Sequence, residues 1–271
     1  MKDLKHVAWT AIVLLALAGC RKEKEEPAQL SFDYTTAQDN ATADDYFNDM
    51  MQQVDGAATD EGLRDTDDPC APTVTIDLGA MPHTMTVDFG STNCTALNGR
   101  MRRGVLFVTF TGAYGDPGTV ITITPQNYYV NDHHVEGSKT VTNMGENTAH
   151  QPYFNVTVDG TITAPDGSWT ATHHSQRVRT WTGGSDTPMT WTDDAYTITG
   201  TGNGVNRNGL PYTMAITNAL HVNWGCPYIT QGTLTLTPQD LPTRTIDYGN
   251  GTCDGTFTVS VSGYTFTVTI G

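Results

Sequence analysis

Three stretches of the chain alternate strictly between a hydroxyl residue and an apolar one. They are Thr233-Leu234-Thr235-Leu236-Thr237, Thr256-Phe257-Thr258-Val259-Ser260-Val261 and Thr265-Phe266-Thr267-Val268-Thr269-Ile270. A period of two puts every apolar side chain on one face and every hydroxyl on the other, the pattern of an antiparallel strand with one face buried. Turn signals recur between such runs, at Asp159-Gly160, Asp166-Gly167, Asn208-Gly209 and Ser262-Gly263. From 72 to 270 the pattern predicts about twelve strands, mostly joined as hairpins. No amphipathic helical stretch interrupts them, which excludes βαβ folds. The expected fold is therefore all-β: a large antiparallel meander, curled or split into a two-layer sandwich, forming one domain over 70–271.

A motif occurs twice in this domain. Thr84-Met85-Thr86-Val87-Asp88-Phe89-Gly90 reaches Cys94 after three residues, and Thr243-Arg244-Thr245-Ile246-Asp247-Tyr248-Gly249 reaches Cys253 after three. Each copy follows another cysteine, Cys70 or Cys226, and an extended run. Alternation places Val87 with Phe89, and Ile246 with Tyr248, on one side, and sends Asp88 and Asp247 to the other. In an exported chain, four body cysteines read as two disulfides, with three connectivities open. The repeat favours Cys70–Cys94 and Cys226–Cys253, each closing a loop of about 25 residues that contributes about 3 kcal/mol.

The N-terminus supplies the case for export. Lys2 and Lys5 precede an apolar run from Val7 to Ala18, broken by Thr10 and ending in Leu17-Ala18-Gly19-Cys20. That is the layout of a secretory signal peptide over 1–19, too short for a comfortable span of ~20 residues. Leu-Ala-Gly-Cys resembles the lipobox of bacterial lipoproteins, which implies cleavage before Cys20 and lipid (palmitate among the acyl chains) on its thiol. Charged residues Arg21 to Glu26 follow and open a polar segment, 20–69, that is expected to be mostly tether. The acidic run behind the cysteine resembles a surface-export signal, which implies the outer membrane with the body facing outward; the alternatives are an ordinary solvated linker and a body facing the periplasm. Within the tether, Phe47, Met50, Met51 and Val54 fall on one helical face. Thr42 to Asp45 reads as a capping box and Gly56 as a stop, so a short amphipathic helix is expected at about 43–55, lying on the body or docking a partner.

Of 29 acidic and 14 basic residues, Asp3, Lys2 and Lys5 fall within 1–19, so the remainder carries 28 against 12. Such a surface argues against nucleic acid and anionic membrane as partners. Candidate site residues are few. Trp169, Trp181, Trp191 and Trp224 are candidates for glycan contact; large aromatics in strands also fill cores. Asp88 and Asp247 are weak catalytic candidates: each precedes a glycine, where Asp commonly caps a turn, and each could pair with Arg100, Arg102 or Arg103. His133-His134 and His173-His174 are neighbours in strands, so each pair points to opposite faces and cannot share an ion. No metal or cofactor is expected, and no G-x-S-x-G, HExxH, P-loop or dinucleotide fingerprint occurs. Threonine rows on the wet faces could form a regular binding surface, or simply reflect strand propensity.

From Cys70 onward, the repeated motif with Gly99–Gly104, Asn127–Asn131 and Val141–Asn143 resembles a family of uncharacterised Bacteroidota lipoproteins. The resemblance covers about three quarters of the chain. It implies location and fold and carries no activity. The expected function is non-enzymatic binding of a glycan or an envelope protein by a membrane-anchored lipoprotein. The alternatives are a hydrolase of the cell envelope or of polysaccharide, and a structural envelope component.

Overall fold

A computed structural model describes residues 33–59, 68–187 and 190–270. The expected signal peptide, Cys20 and the charged run behind it lie outside these residues. One helix, α1 (Thr35–Thr59), precedes fourteen strands: β1 (Thr73–Asp77), β2 (His83–Asp88), β3 (Cys94–Thr95), β4 (Met101–Phe110), β5 (Val120–Val130), β6 (His133–Glu146), β7 (Pro152–Thr163), β8 (Thr170–Gly183), β9 (Ala195–Val205), β10 (Pro211–Asn223), β11 (Gln231–Pro238), β12 (Arg244–Asn250), β13 (Thr256–Val261) and β14 (Tyr264–Thr269). All belong to one sheet in chain order, except that β3 pairs with β4 beside the main path. Every pairing is antiparallel. The fold is thus the expected antiparallel meander, with two more strands than anticipated. The sheet is single and curls, and does not split into a sandwich.

What fills the curl is α1. The helix was expected to lie on the body at 43–55; it is 25 residues long and its side chains are buried on nearly every face, Asp39, Asp44, Asp45 and Asp49 among them. The Asp33 carboxylate caps its start, accepting from the Thr35 amide at 2.8 Å. The expected capping box at Thr42 lies mid-helix, and the helix runs three residues past Gly56. The curl is visible in contacts between strands far apart in the order. The Arg100 guanidinium, beside β4, sits over the ring of Tyr228, which follows β10, at 5.8 Å. Gln52 of the helix donates to the Cys226 carbonyl at 3.1 Å, while Arg102 of β4 meets Asp49 one turn earlier.

Inward side chains form two apolar clusters. One joins α1 residues from Ala43 to Ala57 to β2 and β4–β7; the other joins Ala37 and Ala41 to β9–β14. The closest approach is at Gly160 of β7, where a Cβ would stand 2.2 Å from the Phe47 ring. The two repeat copies fall near opposite edges of the sheet. Cys70–Cys94 and Cys226–Cys253 are bonded as the repeat favoured, with Cα–Cα distances of 4.9 and 5.9 Å. Val87, Phe89, Ile246 and Tyr248 are buried, and Asp88 and Asp247 face solvent. Among the described residues no helix is long and apolar enough to cross a membrane.

Gly160→Val should push Phe47 off β7 and lower stability by about 1–3 kcal/mol. A urea titration with an unchanged midpoint would contradict the seating of the helix on that strand.

Candidate functional site

Beyond residue 67 the chain has eight lysines and arginines: Arg100, Arg102, Arg103, Lys139, Arg177, Arg179, Arg207 and Arg244. Seven of them turn inward to α1 or to the residue that caps it. Arg100 bonds Asp45 at 2.7 Å and lies 3.1 Å from Asp49. Arg102 grips Asp49 with two nitrogens, at 2.9 and 2.5 Å. Arg177 meets Asp44 at 2.6 Å, and His173 Nε2 reaches the same oxygen at 3.2 Å. Arg179 lies 3.7 Å from Asp55 and 3.5 Å over the Tyr196 ring. Arg207, in the β9–β10 turn, holds Asp39 at 2.5 Å, and its backbone amide donates to the same carboxylate. Lys139 Nζ donates to the Phe47 carbonyl at 2.9 Å, and Arg244 donates to the Asp33 carbonyl.

These groups are held far from their ordinary protonation. Burial works against ionising Asp44 and Asp49, but the guanidinium charges and hydrogen bonds of Arg177, and of Arg102 with Arg100, outweigh it and keep both carboxyls low. Asp45 shares Arg100 with Asp49, and one of its oxygens has no partner. Burial, aided by the Asp49 charge, pushes it up to about 7. Burial, with the charges of Arg179 and Arg177, pulls Lys139 down to about 7.

The residues singled out in the sequence are scattered by this arrangement. Asp88 Oδ1 accepts from the Gly90 amide at 2.8 Å, and Asp247 Oδ1 from the Gly249 amide at 2.9 Å. Both cap turns, on strands near opposite edges of the sheet. Neither pairs with the arginines: Arg100 and Arg102 hold helix carboxylates, and Arg103 holds Asp132. Adjacent histidines do face opposite ways. His173 is buried on Asp44 while His174 is half-exposed beside Asp159, and His133 contacts Tyr46 inside while His134 stacks on Tyr129. Among the described residues no group of three His, Cys, Asp or Glu could hold a metal ion.

Trp169, Trp181 and Trp224 do not share one surface. Trp169 precedes β8, packed on His133 and under Arg207. Trp181, toward the other end of β8, stacks on Tyr196 and donates to Asp194 at 3.1 Å. Both pack against the first apolar cluster. Trp191 starts a short 3-10 turn. Trp224 lines a cleft of about 300 Å³ with Val74, Ala96, Arg102 and Pro227.

The outer face of the sheet is rich in threonine. Strand registers bring one residue from each strand of the main path into a continuous row: Asp77, Thr84, Thr109, Thr122, Thr140, Thr157, Gln176, Thr201, Ala215, Thr235, Thr245, Ser260 and Thr265. Nine of the thirteen are threonine, and none is buried. At ~4.8 Å between strands the row runs roughly 55–60 Å around the sheet. Neighbouring hydroxyls bond across strands, Thr122 with Thr140 at 3.4 Å and Ser260 with Thr265 at 2.8 Å. Such a row offers alternating donors, acceptors and methyl groups, and no cation. The chain matches no family model, no curated protein and no solved structure.

The sign of the Asp45 shift fixes a pH response. Its folded state holds a proton that the unfolded chain releases near its ordinary value of 3.8, so its contribution to stability is lost as pH rises from about 4 through 7. Asp45→Asn should remove that part of the decline, and urea titrations at pH 5 and pH 7.5 should then differ less than in the parent. An equal difference in both proteins would refute the assignment.

Proposed function

We propose that the chain is an exported lipoprotein, anchored through acylated Cys20 in the bacterial outer membrane with its body outward. It acts without catalysis, by binding a neutral glycan along the outer threonine row. The observation that carries the ligand class is the turning of seven bases to the helix, which leaves a long row of hydroxyls on a face edged with acids. Neutral polyhydroxyl chains match that row in donors and acceptors, and their C–H groups can lie on its methyls. Anionic polymers meet repulsion from the acidic surface and find little positive charge to hold them. Trp169 and Trp181 are packed inward, and the cleft that Trp224 lines includes no residue of the row, so none of these three carries the reading.

An envelope protein is the second reading. It is favoured by the exposed apolar residues Ile76, Leu78 and Met81, gathered around the β1–β2 turn. A hydrolytic role has less support, because Asp88 and Asp247 cap separate turns.

Two experiments test the proposal. Cys20→Ser should yield a chain without acyl groups by mass spectrometry that leaves the membrane fraction; membrane retention equal to the parent would contradict the anchor. On a glycan array, the parent should bind neutral polysaccharides and spare uronic-acid polymers. The combined variant Thr122→Val, Thr140→Val, Thr157→Val should fold and lose about 10–100-fold in affinity, at ~1 kcal/mol per hydrogen bond. A silent array, or undiminished binding by the variant, would overturn the glycan reading.

A further inference from the structure

Between α1 and the inner faces of β6, β7 and β8 lies a cavity of about 40 Å³, against the ~10–15 Å³ that one water needs. Lys139, Ser175, Arg177 and Arg179 line it, with Asp44 and the Phe47 ring. The registers Lys139↔Val158 and Val158↔Ser175 put the lysine and the serine on one cross-strand row, and Arg177 follows Ser175 on the same face of β8.

The charges around this cavity do not cancel. Asp44 lies on Arg177 and His173, and Asp55 lies nearest Arg179. Lys139 is 5% exposed, and Asp55 and Asp44 act on it only from beyond ion-pair distance. Its ammonium has three donors, and the Phe47 carbonyl takes one. Two more donors on the same cavity have no partner: Ser175 Oγ and Arg177 Nε, on residues 4% and 8% exposed. A buried ammonium without a counter-charge is costly, and buried donors left unmade add to the cost.

We propose that this cavity binds a small monovalent anion of the halide class, held by Lys139 Nζ, Ser175 Oγ and Arg177 Nε. Water is the weaker occupant: it brings no charge and can accept from only two of the donors. The Asp44 carboxylate on the wall sets the limit on size and charge. It is paired with Arg177 at 2.6 Å, so a single compact negative charge fits and a larger oxyanion does not. The bound ion gives Lys139 a counter-charge in direct contact, where Asp55 and Asp44 of α1 act only from beyond ion-pair distance, and so ties the helix to β6 and β8. This site is independent of any ligand on the outer face.

Thermal unfolding of the full chain at constant ionic strength tests the proposal, with sodium chloride or bromide exchanged for sodium gluconate. Tm should rise with halide, by roughly 3–5 °C for each tenfold increase above the dissociation constant. Lys139→Met and Ser175→Ala should each fold and lose most of that dependence. Crystals grown in bromide should show an anomalous peak in the cavity. The proposal is overturned if parent Tm is the same in halide and gluconate, if both variants keep the full response, or if the cavity holds no bromide.

Discussion

The helix carboxylates and the guanidinium groups that meet them hold this architecture in register. A sheet of fourteen strands has no intrinsic reason to close on one helix, and apolar packing alone would let that helix slide or rotate. Asp39, Asp44, Asp45 and Asp49 remove that freedom. Asp39 finds its partner in the β9–β10 turn, Asp44 on β8, and Asp45 and Asp49 together at Arg100 and Arg102, at the start of β4. Buried ion pairs are weak sources of net stability, because desolvation offsets much of the attraction, but removing one partner strands the other. Their role here is to define one position of α1 among many that the apolar clusters would tolerate.

That inward arrangement determines the outer surface. With Arg100, Arg102, Lys139, Arg177, Arg179, Arg207 and Arg244 directed to the interior, Arg103 alone of the body's bases is left to face outward, and it is tied to Asp132. The sheet therefore shows solvent its acids and its threonines. Strand propensity explains why threonine is frequent. It does not explain why the registers align nine of them in a single row across the whole sheet. The disulfides Cys70–Cys94 and Cys226–Cys253 brace the two flanks, where a long open sheet has the least support from neighbours.

Much of this was legible in the sequence where the information is local. Alternation marked the strands, and the twofold motif placed Val87 and Ile246 inside, capped turns with Asp88 and Asp247, and paired the cysteines. The helix was legible only where its apolar face is regular, around Phe47 to Val54. Its first turns carry Asp39 and Asn40, which look solvated. Asp39 is buried because Arg207 lies 168 residues away in sequence and beside it in space, and Asn40 is buried donating to Asp44. The same hidden partnership made the segment read as tether, and left a second sheet layer as the obvious filler of the core. Trp169 and Trp181 gave no sign that they face inward, since their positions depend on Arg207 and Asp194. The threonine row could be suspected from Thr-x-Thr spacing, but its continuity needed the registers of all the pairings.

Hydrogen exchange along α1 tests the enclosed helix most directly. If the sheet grips the helix by its carboxylates, amides from Ala41 to Val54 should exchange only through global unfolding, with the same free energy as Leu234 and Leu236 in β11 and the same urea dependence. A helix whose amides exchange well ahead of those strands, with little dependence on urea, would contradict the account.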